Sequence, residues 1–65
     1  MSMRLLPVPD GFDGERVDTA LARMTGLSRG RVEDLCEAGE VRRGGETLAK
    51  SSRLRAGELL EVDLP

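Results

Sequence analysis

The chain has no histidine, tryptophan or tyrosine, one phenylalanine (Phe12) and one cysteine (Cys36). Each shortage closes a class of function. Without an imidazole there is no base for a Ser-His-Asp type triad. One cysteine and no histidine is not a transition-metal donor set, so neither a metal nor a cofactor is expected. Cys36 has no partner for an internal disulfide and, at helical spacing from Val32, reads as a small buried hydrophobe. A single aromatic residue gives unpaired bases no stacking platform. No apolar run is long enough to span a bilayer. No secretory leader is visible, because residues 1–9 carry one charge and their apolar stretch is interrupted by Pro7. A cytoplasmic location with no membrane partner is therefore expected.

The 65 residues suffice for one small domain with a thin aliphatic core. Twelve acids against ten bases give a net charge of −2, but the distribution is uneven. Asp10, Asp13, Glu15 and Asp18 lie toward one end and Glu58, Glu61 and Asp63 toward the other. Between them fall Arg29, Arg31, Arg42, Arg43, Lys50, Arg53 and Arg55.

Pro7 and Pro9 bar a helix at the start, so residues 1–9 are expected to form an extended lead-in with Leu5 and Val8 on the core edge. Val17, Ala20, Leu21 and Met24 follow one helical stripe. A first helix is predicted over residues 13–25, capped by Asp13, stapled by Phe12 and Val17, and stopped by Gly26. A second helix is predicted over residues 28–38, with Ser28 as cap, Leu27 and Val32 at staple spacing, and Gly39 as the left-handed stop. Strands are predicted at 41–43 and 46–48 around the tight turn Gly44-Gly45. After a polar connection over residues 50–55, a half-buried strand is predicted at 59–64, where Leu60, Val62 and Leu64 alternate with Glu61 and Asp63. The class is α+β: two N-terminal helices packed on a short, mostly antiparallel sheet.

The acids offer no paired general acid and base. Asp18 is the best isolated carboxylate, and it reads as a solvated or ion-paired helix residue. Gly44-Gly45 lacks the spacing and the Lys-Ser/Thr of a phosphate loop. The chain is therefore not expected to catalyse anything alone.

The informative segment is Leu27-Ser28-Arg29-Gly30-Arg31-Val32. It places two arginines in the first turn of a helix, where the macrodipole disfavours cations. Free helix N–H groups beside guanidinium groups suit a phosphate. Ser28, Arg29, Arg31, Arg42, Arg43, Lys50 and Arg53 are the candidate RNA-binding residues, with Arg42 and Arg43 on opposite faces of one strand. The competing reading is a solvated face in which these cations pair with Glu33, Asp34, Glu37 and Glu40, each pair contributing about 0–1 kcal/mol.

The ordered set Arg16-Val17-Asp18 with Leu21, the 27–32 run, Gly39-Glu40-Val41, Gly44-Gly45, Lys50-Ser51 and Ala56-Gly57-Glu58 resembles the S-four RNA-binding domain, from about Val8 to Leu64. Leu6-Pro7-Val8-Pro9-Asp10-Gly11 and the closing Leu60-Glu61-Val62-Asp63-Leu64-Pro65 are similar to the N-terminal domain of ribosomal large-subunit pseudouridine synthases of the RluA/RluD type. The resemblance implies a small alpha-L-like fold that binds structured, ribosomal RNA through Ser28, Arg29, Arg31 and Lys50, with Arg53 nearby. It also implies a separate, cofactor-free catalytic domain whose His-Arg-Leu-Asp motif is not in this chain. Residues 1–65 are thus expected to be one monomeric domain, the N-terminal piece of a larger enzyme. Two positions depart from the family pattern: Gly44-Gly45 stands where Asn-Gly is usual, and Arg43 where an aliphatic residue is usual. Two rivals remain at this level, a protein-interaction module and a stand-alone ribosome-associated RNA-binding protein.

Overall fold

The computed structural model describes residues 2–64. Along the chain come β1 (Ser2–Pro7), one turn of 3-10 helix (Asp10–Phe12), α1 (Val17–Thr25), α2 (Arg29–Glu37), β2 (Val41–Arg43), β3 (Glu46–Thr47) and β4 (Leu59–Leu64). All three strand pairings are antiparallel, in the order β1-β4-β2-β3. The core is the layer between helices and sheet. Val17, Ala20 and Leu21 of α1 and Val32 and Cys36 of α2 meet Val41, Leu60 and Val62 of the sheet, and Val8, Leu48 and Leu54 close the margins. This is the α+β class that the hydrophobic pattern implies.

The punctuation residues act as their chemistry dictates. Gly26 takes φ 79° after α1 and donates its N–H to the Ala22 carbonyl at 3.0 Å. The Thr25 hydroxyl donates back to the Leu21 carbonyl (2.6 Å) and accepts the Leu27 N–H (3.2 Å), which fixes the short link to α2. Ser28 caps α2 by accepting the Arg31 N–H at 3.1 Å. Gly44 and Gly45 both have positive φ, 59° and 85°, as a type I′ hairpin turn requires.

Three features differ from the sequence expectation. The lead-in is a full strand: β1 pairs with β4 from Ser2↔Leu64 to Pro7↔Leu59. Within and just after it, Leu6 and Val8 face the core, while Leu5 is 58% exposed. The first helix begins at Val17, four residues later than predicted. Arg16 holds the cap position, and its side chain does not cap the helix. The distant loop does the capping: Ser52 O accepts the Val17 N–H (2.8 Å) and Lys50 O the Asp18 N–H (3.1 Å). Asp13 instead ends the 3-10 turn and accepts the Ala56 N–H at 2.9 Å. Val17 is thus the first helical residue, and the Phe12–Val17 staple does not form; the Arg23 guanidinium sits over the Phe12 ring, 5.7 Å from its centre. Finally, the polar connection carries a fully buried residue, Leu54.

Candidate nucleic-acid interface

The loop that caps α1 also assembles the site. Because the Lys50 carbonyl takes the Asp18 N–H, residue 50 lies at the start of α1. The short 26–28 turn brings the first turn of α2 to the same place. Asp18 sits at this junction and is fully buried. Its Oδ1 accepts the Thr19 N–H (2.8 Å) and Arg16 Nε (3.2 Å), and its Oδ2 accepts Arg16 Nη2 (3.0 Å) and Arg29 Nη2 (3.5 Å). Two guanidinium groups thus share one carboxylate. The side chain of Arg29 stays 60% exposed. The Lys50 ammonium is 3.9 Å from Glu33 and is largely solvated. Arg31 is exposed in the same first turn and has no ion pair among the described residues.

The seven candidate residues therefore do not form one cluster. Ser28, Arg29, Arg31 and Lys50 are placed around the helix starts. Arg43 and Arg53 form a second locus: Arg43 Nη1 donates to Glu58 (3.0 Å) and to the Arg53 carbonyl (3.3 Å), and Arg53 Nη1 donates to the Gly14 carbonyl (3.0 Å). This locus adjoins the first through the backbone bridge between Arg16 and Arg53. Arg42 lies elsewhere. Alternation along β2 turns it away from buried Val41 and onto the outer sheet face, where it bonds the Gly39 carbonyl (2.7 Å) and Met3 Sδ (3.7 Å). Arg16 was missed as a member of the cluster. Its signal was the Arg-x-Asp spacing, which sets a guanidinium just outside a helix whose second residue is the acid.

Charge dominates the chemistry of the site. Burial by itself raises the Asp18 carboxyl, but the Thr19 N–H, Arg16 and Arg29 outweigh it and hold the group below its ordinary value of 3.8. A carboxyl lowered in the folded state stabilises the fold above its unfolded value, and that stability is lost as pH falls through the folded value. Melting temperatures followed downward from pH 7 are thus expected to drop below about pH 4, and the drop is expected to be shallower in Asp18→Asn. Parallel curves for the two proteins would exclude this role for Asp18.

A recess of about 530 Å³ lies between α2 and the β3 loop and is lined by Glu33, Cys36, Glu37, Thr47, Leu48, Ala49 and Lys50. With two carboxylates to one ammonium it does not suit a polyanion. Burial, with Asp18 and Glu33 nearby, pushes the Cys36 thiol up, so it stays protonated at neutral pH and is a poor nucleophile. Among the described residues, no group of three or more His, Cys, Asp or Glu side chains could hold a metal ion, and no helix is long and apolar enough to cross a membrane.

No family model matches the chain. Two curated proteins do, each described as an uncharacterized RNA pseudouridine synthase, one from Mycobacterium bovis and one from Mycobacterium tuberculosis. Each is 52% identical to this chain over 65 residues, which is 100% of the chain and 21% of the relative. The chain thus spans about a fifth of the length of these relatives, and it is similar over its whole length to one part of proteins that bear the name RNA pseudouridine synthase.

Proposed function

We propose that this chain is the RNA-binding module of a pseudouridine synthase, directing a separate catalytic domain to structured, ribosomal RNA in the cytoplasm. The observation that carries the reading is the convergence at the helix starts. Arg29 and Arg31 occupy the dipole-disfavoured first turn of α2, and the chain brings Arg16 and Lys50 to the same junction. Three of these cations meet two carboxylates, Arg16 and Arg29 at Asp18 and Lys50 at Glu33, and Arg31 is exposed in the same helical turn as Arg29. The Lys50–Glu33 pair at 3.9 Å is solvated and yields readily to a phosphate, while Arg29 is held at 3.5 Å by the buried Asp18 with its side chain 60% exposed. The likeness to the two mycobacterial proteins supports the enzymatic context. The element order and the Ser28-capped helix support the S-four reading. In this reading the chain is a monomer, performs no chemistry alone, and uses Ser28, Arg29, Arg31 and Lys50 at the RNA, with Arg43 and Arg53 as flanking contacts. Arg42 is on the outer face and is the weakest member of the set.

Fluorescence anisotropy with hairpin-rich ribosomal RNA fragments tests the proposal. Each phosphate neutralised contributes about 0.7–0.9 to the slope of log affinity against log salt, so three or four contacts give a slope of about −3. A complex indifferent to salt would contradict a phosphate-led mode.

A second reading rests on a different face. Among the described residues Met3, Leu5 and Leu59 are the large apolar side chains most exposed, and register places all three with Glu61 and Asp63 on the outer side of the sheet. Such a surface suits a protein partner. NMR titration separates the readings: RNA-induced shifts at residues 28–31 and 50–53 favour the first, and shifts confined to β1 and β4 on adding a partner protein favour the second.

A further inference from the structure

We infer that Arg16 is a phosphate ligand of this domain, and that the buried Asp18 carboxylate strengthens the grip on RNA by holding Arg16 and Arg29 in place. The inference rests on the RNA-binding reading and adds a residue and a role to it. A carboxylate inside a basic site ordinarily subtracts from affinity for a polyanion. Asp18 differs because none of its surface is exposed; its charge is presented to protein donors and not to solvent. Oδ1 is filled by Thr19 and Arg16 Nε, and Oδ2 by Nη2 of both arginines. The two-point contact with Nε and Nη2 fixes the plane of the Arg16 guanidinium. Its other edge remains open, since that side chain is 39% exposed and that of Arg29 is 60% exposed. One negative charge shared by two guanidinium groups leaves one positive charge uncompensated. The free N–H donors can then take the two non-bridging oxygens of one phosphodiester. Side chains already held in place lose little freedom on binding, which is where preorganised sites gain affinity.

Asp18→Asn gives this claim a sign. The asparagine Oδ1 can still accept the Thr19 N–H, but Nδ2 replaces the oxygen shared by the two arginines and turns a donor toward them. Counting charges alone, removing an acid tightens RNA binding. Releasing two ordered arginines weakens it by about tenfold at fixed salt. Arg16→Lys keeps the charge, loses the two-point contact, and is expected to weaken binding as well, even if Asp18→Asn folds poorly. Circular dichroism confirms that each variant is folded before its affinity is read. In parallel, the Nε–Hε signals of Arg16 and Arg29 in the wild-type chain are followed by NMR while inorganic phosphate is added, with both signals expected to shift together. If the wild type binds RNA and a folded Asp18→Asn binds as tightly or more tightly, the inference fails and the RNA reading stands. If the wild type ignores RNA but both arginine signals move with phosphate, the RNA reading fails and the phosphate fork stands. If neither responds, both fail.

Discussion

Replacing Arg29 and Arg31 together with glutamine is expected to lower affinity for structured RNA by at least about a hundredfold, because each charged hydrogen bond to a phosphate contributes about 1.5–3 kcal/mol. The salt slope is expected to fall by about two phosphate equivalents, roughly 1.4–1.8 units. Stability is expected to move the other way or not at all. Cations in a first helical turn oppose the macrodipole by about 0.3–1 kcal/mol each, Arg31 makes no ion pair among the described residues, and Arg29 contributes one long contact, at 3.5 Å, to a buried carboxylate that Arg16 and the Thr19 N–H continue to satisfy. The Ser28 cap, which bonds the backbone of residue 31 and not its side chain, is retained. Glutamine is the better probe than glutamate, since an acid at position 29 would confront Asp18 and confuse binding with folding. A double variant that melts no lower than the wild type yet binds RNA poorly identifies these arginines as residues kept for a ligand. One that melts lower and binds equally well identifies them as structural.

The contrast between those two arginines and Arg42 and Arg43 marks how far the sequence was legible. Ser28, Gly26, Gly39 and the Gly44-Gly45 turn act through their immediate neighbours, so α2, the hairpin and the class of fold could be read directly. Period-2 alternation likewise located β4 and told that Arg42 and Arg43 part company; which of them lies on the core side was not legible, and the structure puts Arg43 there and Arg42 outside. What could not be read depends on distant partners. The N-terminus of α1 is capped by carbonyls of residues 50 and 52, more than thirty positions away, so a local search for a cap settled on Asp13. The same long-range bonds bring Lys50 to Asp18 and make Arg16 part of the cluster. A sequence shows that Arg16, Asp18, Arg29 and Lys50 exist. It does not show that they share one junction, because that follows from how the 49–54 loop returns across the helix start.

That return hangs on one side chain. Leu54 is the fully buried residue of a segment that otherwise reads as a charged connection, flanked by exposed Arg53 and Arg55. Its backbone is tied on both sides to the approach to α1: Leu54 N–H donates to the Glu15 carbonyl (2.9 Å), and its own carbonyl accepts the Gly14 N–H (2.8 Å). Leu54→Ala is expected to cost about 2–5 kcal/mol, the range for emptying a packed leucine site. A domain of this length has only about 3–10 kcal/mol in total, so the variant is expected to melt roughly 10–30 °C lower by calorimetry or circular dichroism. Arg55→Ala, one residue on and exposed, is expected to change stability by less than about 0.5 kcal/mol. The functional consequence follows from the capping. Once the loop loosens, Ser52 and Lys50 no longer hold the N–H groups of Val17 and Asp18, and the basic junction loses its frame. RNA affinity in Leu54→Ala is therefore expected to fall at temperatures where circular dichroism still reports a largely folded chain, although none of the cations proposed to contact RNA has been touched. If affinity instead follows the folded fraction alone, the loop is merely packed against the site and does not organise it.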